Sequence, residues 1–245
     1  MSRPPRIIAS SGGFISTPGL WGVMRPGGIV IEALRLSGAV RPRVLLILTA
    51  SGDDHQYLTT MYSALVDASC DVDHLALFTQ PNRPPAEAIG RADVIWVGGG
   101  SVANLLALWQ LHGLGEPLRD AWERGTILGG VSAGSICWHV GGPTDSFGSQ
   151  LQVVTNGLAL LPYGNGVHYD SEAQRRPLLQ RLVGEGRLPT SYATDDHIGI
   201  LYEGIEPVSV LADTAPDGPD GPAAYRIERV GGAAVETRLP VGPLA

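Results

Sequence analysis

The stretch Thr126-Ile-Leu-Gly-Gly-Val-Ser-Ala-Gly-Ser135 is an apolar run that breaks at two glycines and resumes as a predicted helix. Its centre, Gly130 to Gly134, has the pattern G-x-S-x-G, in which a strand turns sharply into a helix and leaves the serine hydroxyl exposed. A side chain at either glycine would crowd such a turn, and the helix N-terminus offers free N–H groups to developing negative charge. The stretch therefore predicts a nucleophilic Ser132 at the carboxyl end of a strand.

The segments before this turn alternate between predicted strands and helices. Continuous apolar runs at 43–49 and 93–97 predict strands that are buried on both faces, as in a parallel sheet. Helical patterns at 55–68 and 102–111 follow these two strands. The order predicts an α/β fold with a doubly wound, mostly parallel sheet flanked by helices, and with ligands bound at the carboxyl ends of the strands.

Shorter elements complete the predicted fold. After the turn, the composition predicts a loop at 141–148 and then a helix at 171–183 with Ser171 as its N-cap. Additional short strands are predicted at the C-terminus, at 191–194, 198–202, 208–211, 223–229 and 233–238. Because no linker separates a second unit, we expect residues 1–245 to form a single α/β hydrolytic domain.

The bulk composition limits the classes of function. The chain has 245 residues, 44% of them hydrophobic, which is enough to bury the core of one such domain. Its formal net charge of −7 argues against a nucleic-acid partner, because phosphate binding needs a basic surface. The N-terminus lacks the apolar segment of a signal peptide, and no stretch reaches about 18 apolar residues. We therefore expect a cytoplasmic protein, with no membrane partner, that acts as a monomer or homodimer.

A serine nucleophile needs a base, which is normally a histidine oriented by a carboxylate. His168 lies at a predicted strand end beside glycines, and we favour it over His197, which begins an apolar strand. Asp145, in the loop after the predicted helix, is the first choice for the carboxylate. The carboxylates that spacing leaves open are Asp170, Asp195 and Asp196.

An acyl-transfer site also needs two N–H donors for the oxyanion of the tetrahedral intermediate. One is expected from Ala133, which follows the nucleophile, and the other from the Gly98-Gly-Gly100 loop after the strand at 93–97. The loop has neither a following Gly-Lys-Ser/Thr nor the G-x-G-x-x-G spacing, which argues against nucleotide binding. No metal or organic cofactor is implied.

These motifs together resemble the dipeptidase E-like serine peptidases, a family that includes aspartyl dipeptidase and cyanophycinase and shares its fold with the class I glutamine amidotransferases. The resembling segments are Val94-Ile-Trp-Val-Gly-Gly-Gly-Ser-Val-Ala-Asn-Leu-Leu106, Leu128-Gly-Gly-Val-Ser-Ala-Gly-Ser135, Thr144-Asp-Ser-Phe-Gly148 and His168-Tyr-Asp-Ser-Glu172 with Arg175-Arg176. The resemblance implies that Ser132 is the nucleophile, His168 the base and Asp145 the orienting acid, with Gly100 and Ala133 as the oxyanion hole.

Substrate recognition is the part of the resemblance where this chain departs from the family pattern. The triple glycine is usually followed by asparagine, and Ser101 occupies that position here, which bears on substrate positioning. In aspartyl dipeptidase an arginine after the histidine recognises the substrate's aspartate, and Arg175 or Arg176 is the corresponding candidate.

With the resemblance, the sequence predicts a serine peptidase that cleaves small peptides, and the resemblance implies an N-terminal aspartate as one candidate preference. The expected reaction is attack by Ser132, proton transfer through His168, and hydrolysis of an acyl-enzyme. Two alternatives remain open: an esterase or amidase with a non-peptide substrate, and a non-catalytic ligand-binding protein on the same scaffold.

Overall fold

A computed structural model, which describes residues 4–215, 218 and 220–244, alternates strands and helices in its first half and is mainly strands in its second. Its helices are α1 (Gly28–Ser37), α2 (His55–Asp67), α3 (Pro85–Arg91), α4 (Val102–Leu111), α5 (Gly115–Glu123), α6 (Ala133–Ile136) and α7 (Arg175–Gly184). Its strands are β1 (Arg6–Ser10), β2 (Phe14–Ser16), β3 (Met24–Pro26), β4 (Arg43–Ile47), β5 (Asp71–His74), β6 (Val94–Val97), β7 (Ile127–Val131), β8 (Gly142–Thr144), β9 (Gln152–Val154), β10 (Gly164–Gly166), β11 (Ser191–Thr194), β12 (Ile198–Glu203), β13 (Glu206–Ala212), β14 (Ala224–Val230), β15 (Ala233–Leu239) and β16 (Gly242–Pro243).

The largest sheet has eight strands in the order β16-β13-β12-β1-β7-β6-β4-β5. Five strands, in the order β1, β7, β6, β4 and β5, run parallel to one another. The strands β12, β13 and β16 join antiparallel at the other edge. The prediction of a mostly parallel, doubly wound sheet with additional C-terminal strands is confirmed. Within the described residues, every helix falls short of the length and apolar content that crossing a bilayer needs.

The apolar runs of the central strands supply both faces of this sheet. In β6, Ile95 packs into the larger apolar cluster on one face, while the next residue, Trp96, packs into the cluster on the other face. In β7, Leu128 packs into the larger cluster and Ile127 into the cluster on the other face. Because successive side chains in a strand point to opposite faces, a continuous apolar run is what a sheet covered on both sides requires.

A second sheet, in the order β10-β11-β14-β15, carries one edge of the candidate site. Helix α7 packs against β14 and β15 of this sheet. The strands β8 and β9 form a separate hairpin, and a parallel bridge between Gly141 and Gly164 connects this hairpin to β10. The residues after β10, and the loop between β11 and β12, are thereby brought to the carboxyl end of β1.

Several predicted boundaries differ from the structure. The helix expected at 171–183 begins at Arg175, and Ser171 lies in the preceding turn, so the proposed N-cap is wrong. The loop predicted at 141–148 contains the strand β8. The helix after Ser132 is short and ends at Ile136. These errors fall in short segments, where tertiary contacts outweigh local propensity.

Candidate active site

Ser132 stands in the turn between β7 and α6 with backbone angles of φ 57° and ψ −113°. Non-glycine residues rarely adopt a positive φ, and such strain persists only where the surroundings impose it. A Cβ at Gly134 would lie 2.2 Å from the carbonyl oxygen of Val97, and one at Gly130 would lie 2.4 Å from the carbonyl oxygen of Gly134. Both glycines of the motif are therefore required by close backbone packing around Ser132.

Two backbone N–H groups near Ser132 are available to a ligand. In the part of the chain that the structure describes, neither Gly100 nor Ala133 donates its N–H in a hydrogen bond. Gly100 has φ 131°, and a Cβ there would meet the Ala50 carbonyl oxygen at 2.3 Å, so the loop conformation needs glycine. A Cβ at Gly99 would lie 3.3 Å from the Ser132 Cβ, so this loop lies directly against the serine.

The end of β1 connects Ser132 with His168. The Ser132 N–H donates to the Ser10 carbonyl oxygen at 3.0 Å, and the His168 N–H donates to the Ser11 Oγ at 3.0 Å. Ser11 is itself fixed, because its hydroxyl contacts the hydroxyl and carbonyl oxygens of Thr194. Two adjacent residues of β1 and its following loop therefore anchor the predicted nucleophile and the predicted base.

His168 is oriented by Asp196. Its Nδ1 lies 2.5 Å from the Asp196 Oδ1, which leaves Nε2 as the ring nitrogen available to other groups. Burial opposes the charged form of Asp196, but hydrogen bonds from His168 and Ser171 outweigh it and hold the pKa of this carboxyl below its ordinary value. The Asp196 N–H also donates to the Asp170 Oδ1 at 2.9 Å. The carboxylate that faces His168 is therefore ionised and fixed in place.

Asp145, the first choice for that carboxylate, lies elsewhere. Its Oδ1 is 3.7 Å from the Nη2 of Arg175, and its side chain is 61% exposed. The structure thus pairs His168 with Asp196, one of the alternatives that spacing left open. Spacing along the chain could not choose this residue, because the two segments meet only in the folded state.

Ser132, the glycine loop and Asp145 line one cleft with a volume of about 290 Å³. The lining residues are Gly100, Ser101, Ser132, Asp145, Ser146, Glu172 and Arg175. The cleft opens at the carboxyl end of the parallel strands, where ligands bind in folds of this kind.

The sequence model of Peptidase family S51 matches residues 30–208, which is most of the chain. The chain belongs to this family. It is 34% identical over 238 residues to the uncharacterized peptidase YgaJ of Bacillus subtilis (strain 168), covering 96% of this chain and 97% of that protein. Membership of the family makes the protein a serine-type peptidase.

Two solved structures share the fold of this S51 peptidase. A putative peptidase E protein from Listeria monocytogenes EGD-e is 18% identical, covers 86% of this chain and all of its own chain, and has a TM-score of 0.62. A peptidase from an acI-B1 actinobacterium is 14% identical, covers 100% of this chain and 98% of its own, and has a TM-score of 0.69.

The two arginines of the S51 peptidase that the resemblance linked to substrate lie in different surroundings. Arg175 lines the cleft with a side chain only 3% exposed. Arg176 pairs with Glu236 instead, and its guanidinium lies 5.3 Å from the Tyr169 ring centroid and 4.9 Å from that of Tyr225. The structure therefore brings Arg175 to the site and not Arg176, whose contacts join α7 to the second sheet.

Ser101, which occupies the position of the family's asparagine, has a structural contact as well as a place in the cleft. Its Oγ accepts a hydrogen bond from the Asn104 N–H at 3.3 Å and so caps α4. The neighbouring Ala103 N–H donates at 3.3 Å to the Oγ of Ser146, which lies in the loop that carries Asp145. The N-terminus of α4 thereby fixes both sides of the cleft.

The other candidate groups of the S51 peptidase are held by contacts outside the cleft. His197 lies 3.2 Å from the Oδ2 of Asp213, and Asp195 accepts hydrogen bonds from Ala223 and Tyr225. His139 is fully buried, and desolvation lowers its pKa to about 4 despite a hydrogen bond to the Ser135 carbonyl oxygen. Within the described residues, no group of three or more His, Cys, Asp or Glu side chains is arranged to hold a metal ion.

Proposed function

We propose that this serine peptidase cleaves small peptides with Ser132 as the nucleophile, His168 as the base and Asp196 as the carboxylate that orients it. The observation that carries the proposal is the contact between His168 Nδ1 and Asp196, combined with the anchoring of Ser132 and His168 on Ser10 and Ser11. A neutral imidazole with its Nδ1–H held by a carboxylate presents Nε2 as the proton acceptor, as a serine nucleophile requires.

In the proposed reaction, the Ser132 Oγ attacks the peptide carbonyl carbon while His168 Nε2 takes the hydroxyl proton. The negative charge on the carbonyl oxygen is stabilised by the free N–H groups of Gly100 and Ala133. His168 then gives its proton to the leaving amine, so that the peptide bond breaks and an acyl-enzyme remains. A water molecule, deprotonated by the same histidine, releases the acid and regenerates Ser132.

The charge balance of the cleft argues against a preference for an N-terminal aspartate. Arg175 is the arginine available for such a contact, but Glu172 and Asp145 already face its guanidinium. A substrate carboxylate would have to compete with both of these side chains. The proposal therefore covers small peptides as a class and does not include that preference.

Labelling with a fluorophosphonate probe, measured by intact mass, tests the proposal. We expect one adduct on the wild type, no adduct on Ser132→Ala and much slower labelling of His168→Ala. Ser101→Ala is the matched control, because it removes another hydroxyl of the same cleft and should still accept the adduct. A folded wild type that neither takes the adduct nor hydrolyses any peptide in a dipeptide panel would contradict the proposed roles.

A further inference from the structure

The glycine loop, residues 98–100, is attached at both ends to the chain that follows β4. The Gly98 N–H donates to the carbonyl oxygen of Ile47, the last residue of β4, at 3.0 Å. The Ser101 N–H donates to the Ala50 carbonyl oxygen at 2.8 Å. In the part of the chain that the structure describes, the two N–H groups in the middle of the loop have no backbone acceptor. The position of the N–H proposed for the oxyanion hole therefore depends on what else holds the middle.

Tyr57 of α2 packs against the start of this loop. A Cβ at Gly98 would lie 3.0 Å from the Tyr57 Cε1 and 3.5 Å from its hydroxyl oxygen, so the phenol lies directly on the loop. The same Cβ would come within 2.6 Å of the Leu48 Cδ2, which leaves no room for a side chain at this glycine. The Asp54 side chain, the N-cap of α2, accepts the Tyr57 N–H at 2.6 Å and so fixes the turn from which the ring projects.

The hydroxyl of Tyr57 bonds the backbone of Gly99. Burial raises the pKa of this phenol above its ordinary value, and a hydrogen bond with the Gly99 backbone acts in the opposite direction. A hydrogen bond favours the phenolate only when the partner donates, so the Gly99 N–H is the donor and the Tyr57 Oη is the acceptor. A Cβ at Gly99 would lie 3.3 Å from the Ser132 Cβ, so this bond holds the loop where it touches the serine.

We propose that Tyr57 is a positioning residue of the peptidase, whose hydroxyl holds the Gly99 N–H and thereby fixes the direction of the next N–H, that of Gly100. Glycine adopts backbone conformations that other residues avoid, so a loop of three glycines keeps one conformation only where contacts impose it. Tyr57 lies outside the set of described residues that line the cleft, so it acts through the loop. The proposal rests on the proposed function, which gives the Gly100 N–H its role.

Tyr57→Phe removes the hydroxyl and keeps the ring, and steady-state kinetics measures the result. We expect kcat for a small peptide to fall by about 5- to 50-fold and KM to change by less than about twofold, because the oxyanion forms only after the substrate has bound. Fluorophosphonate labelling of Ser132 should slow by a similar factor, because the phosphoryl oxygen of the probe would use the same N–H groups.

Tyr62→Phe is the matched control, because it removes another hydroxyl from the same helix. This hydroxyl lies 2.9 Å from the His74 Nδ1 and is directed to β5 and not to the glycine loop. The control should keep kcat within about twofold of the wild type. An unchanged kcat in Tyr57→Phe, or equal losses in the two variants, would overturn the proposal.

Amide hydrogen exchange of the glycine loop, measured by NMR, tests the bond without turnover. Tyr57→Phe should speed exchange of the Gly99 N–H by about tenfold or more, and Tyr62→Phe should leave it unchanged. If exchange at Gly99 is the same in Tyr57→Phe and the wild type, the proposal is wrong. A wild type with the expected exchange that neither takes the probe nor hydrolyses peptides would contradict the proposed function. An active wild type whose Tyr57→Phe variant is equally active would contradict this inference alone.

Discussion

Two His–Asp pairs lie side by side at the carboxyl end of β1, and their surroundings differ. In the first, His168 meets Asp196, whose side chain is half-exposed and is bonded by His168 and Ser171 from the segment after β10. In the second, His197 is 61% exposed, while its partner Asp213 is completely buried. The two pairs have the same chemistry. They are also adjacent along the chain, because Asp196 of the first pair directly precedes His197 of the second.

The remaining contacts of each pair separate their roles. Both histidines are anchored on Ser11, the N–H of His168 through the Ser11 Oγ and the N–H of His197 through the Ser11 carbonyl oxygen, so the difference lies in the carboxylates. Asp213 instead accepts the Gly13 N–H at 2.8 Å and lies against Gly27, where a Cβ would come within 2.2 Å of its Oδ1. A His–Asp contact alone therefore does not identify a catalytic pair. The other contacts of the carboxylate separate the two pairs, because Asp213 also holds the Gly13 N–H, whereas the Asp196 side chain is bonded by His168 and Ser171.

The largest expected effect is that of His168→Ala on catalysis. Without the proposed base, kcat/KM for a small peptide should fall by about 10³- to 10⁶-fold, because the Ser132 hydroxyl would lose the group proposed to take its proton. Steady-state kinetics on protein with an unchanged circular dichroism spectrum measures this effect. A loss smaller than tenfold would remove the distinction between the two pairs.

Asp196→Asn should have the second-largest effect, a fall in kcat of about 10²- to 10⁴-fold with a smaller change in KM. An asparagine keeps the shape but no longer fixes the histidine tautomer that leaves Nε2 free as a base. The informative control is Asp145→Asn, which removes the carboxylate that the sequence favoured. If Asp145→Asn lowers kcat as much as Asp196→Asn, the assignment of the orienting acid is wrong.

The sequence predicted those features that depend on local patterns. The strands β6 and β7 follow from continuous apolar runs, and the position of Ser132 follows from glycines within two residues of it. The partner of His168 is different, because 28 residues separate His168 from Asp196 along the chain. Their contact depends on β10 pairing with β11 and on the left-handed backbone of His168, at φ 51°. No spacing rule chooses Asp196 from four candidate carboxylates.

The electrostatics of the cleft were also beyond the sequence. Arg175 and Arg176 are adjacent and chemically identical, yet one is buried beside Glu172 and the other lies over two aromatic rings. Their difference arises from the register of α7, whose start lies four residues later than Ser171, the N-cap that the composition favoured. Ser171 instead donates to Asp196, so its hydroxyl serves the site and not the helix.

Asp213→Ala should act on stability more than on chemistry. It leaves the Gly13 N–H without its acceptor in a buried position, which costs about 1–3 kcal/mol of unfolding free energy. Urea titration of the purified protein measures the loss. Asp213→Asn is the control, since it keeps one side-chain oxygen for Gly13 and should recover part of the stability. A large fall in kcat for Asp213→Asn, at unchanged stability, would show that the second pair also takes part in catalysis.

The smallest effect is expected for His197→Ala. The ring is mostly exposed, so water can replace it near Asp213, and the loss of unfolding free energy should stay at or below about 1 kcal/mol. The rate should change by less than about threefold, because a substitution that removes no transition-state contact leaves kcat/KM near its original value. The comparison of kcat/KM for His197→Ala and His168→Ala is decisive, since the two substitutions remove the same side chain from the two pairs. If their losses are similar, His197 contributes to proton transfer and the contact of His168 with Asp196 no longer distinguishes the catalytic histidine.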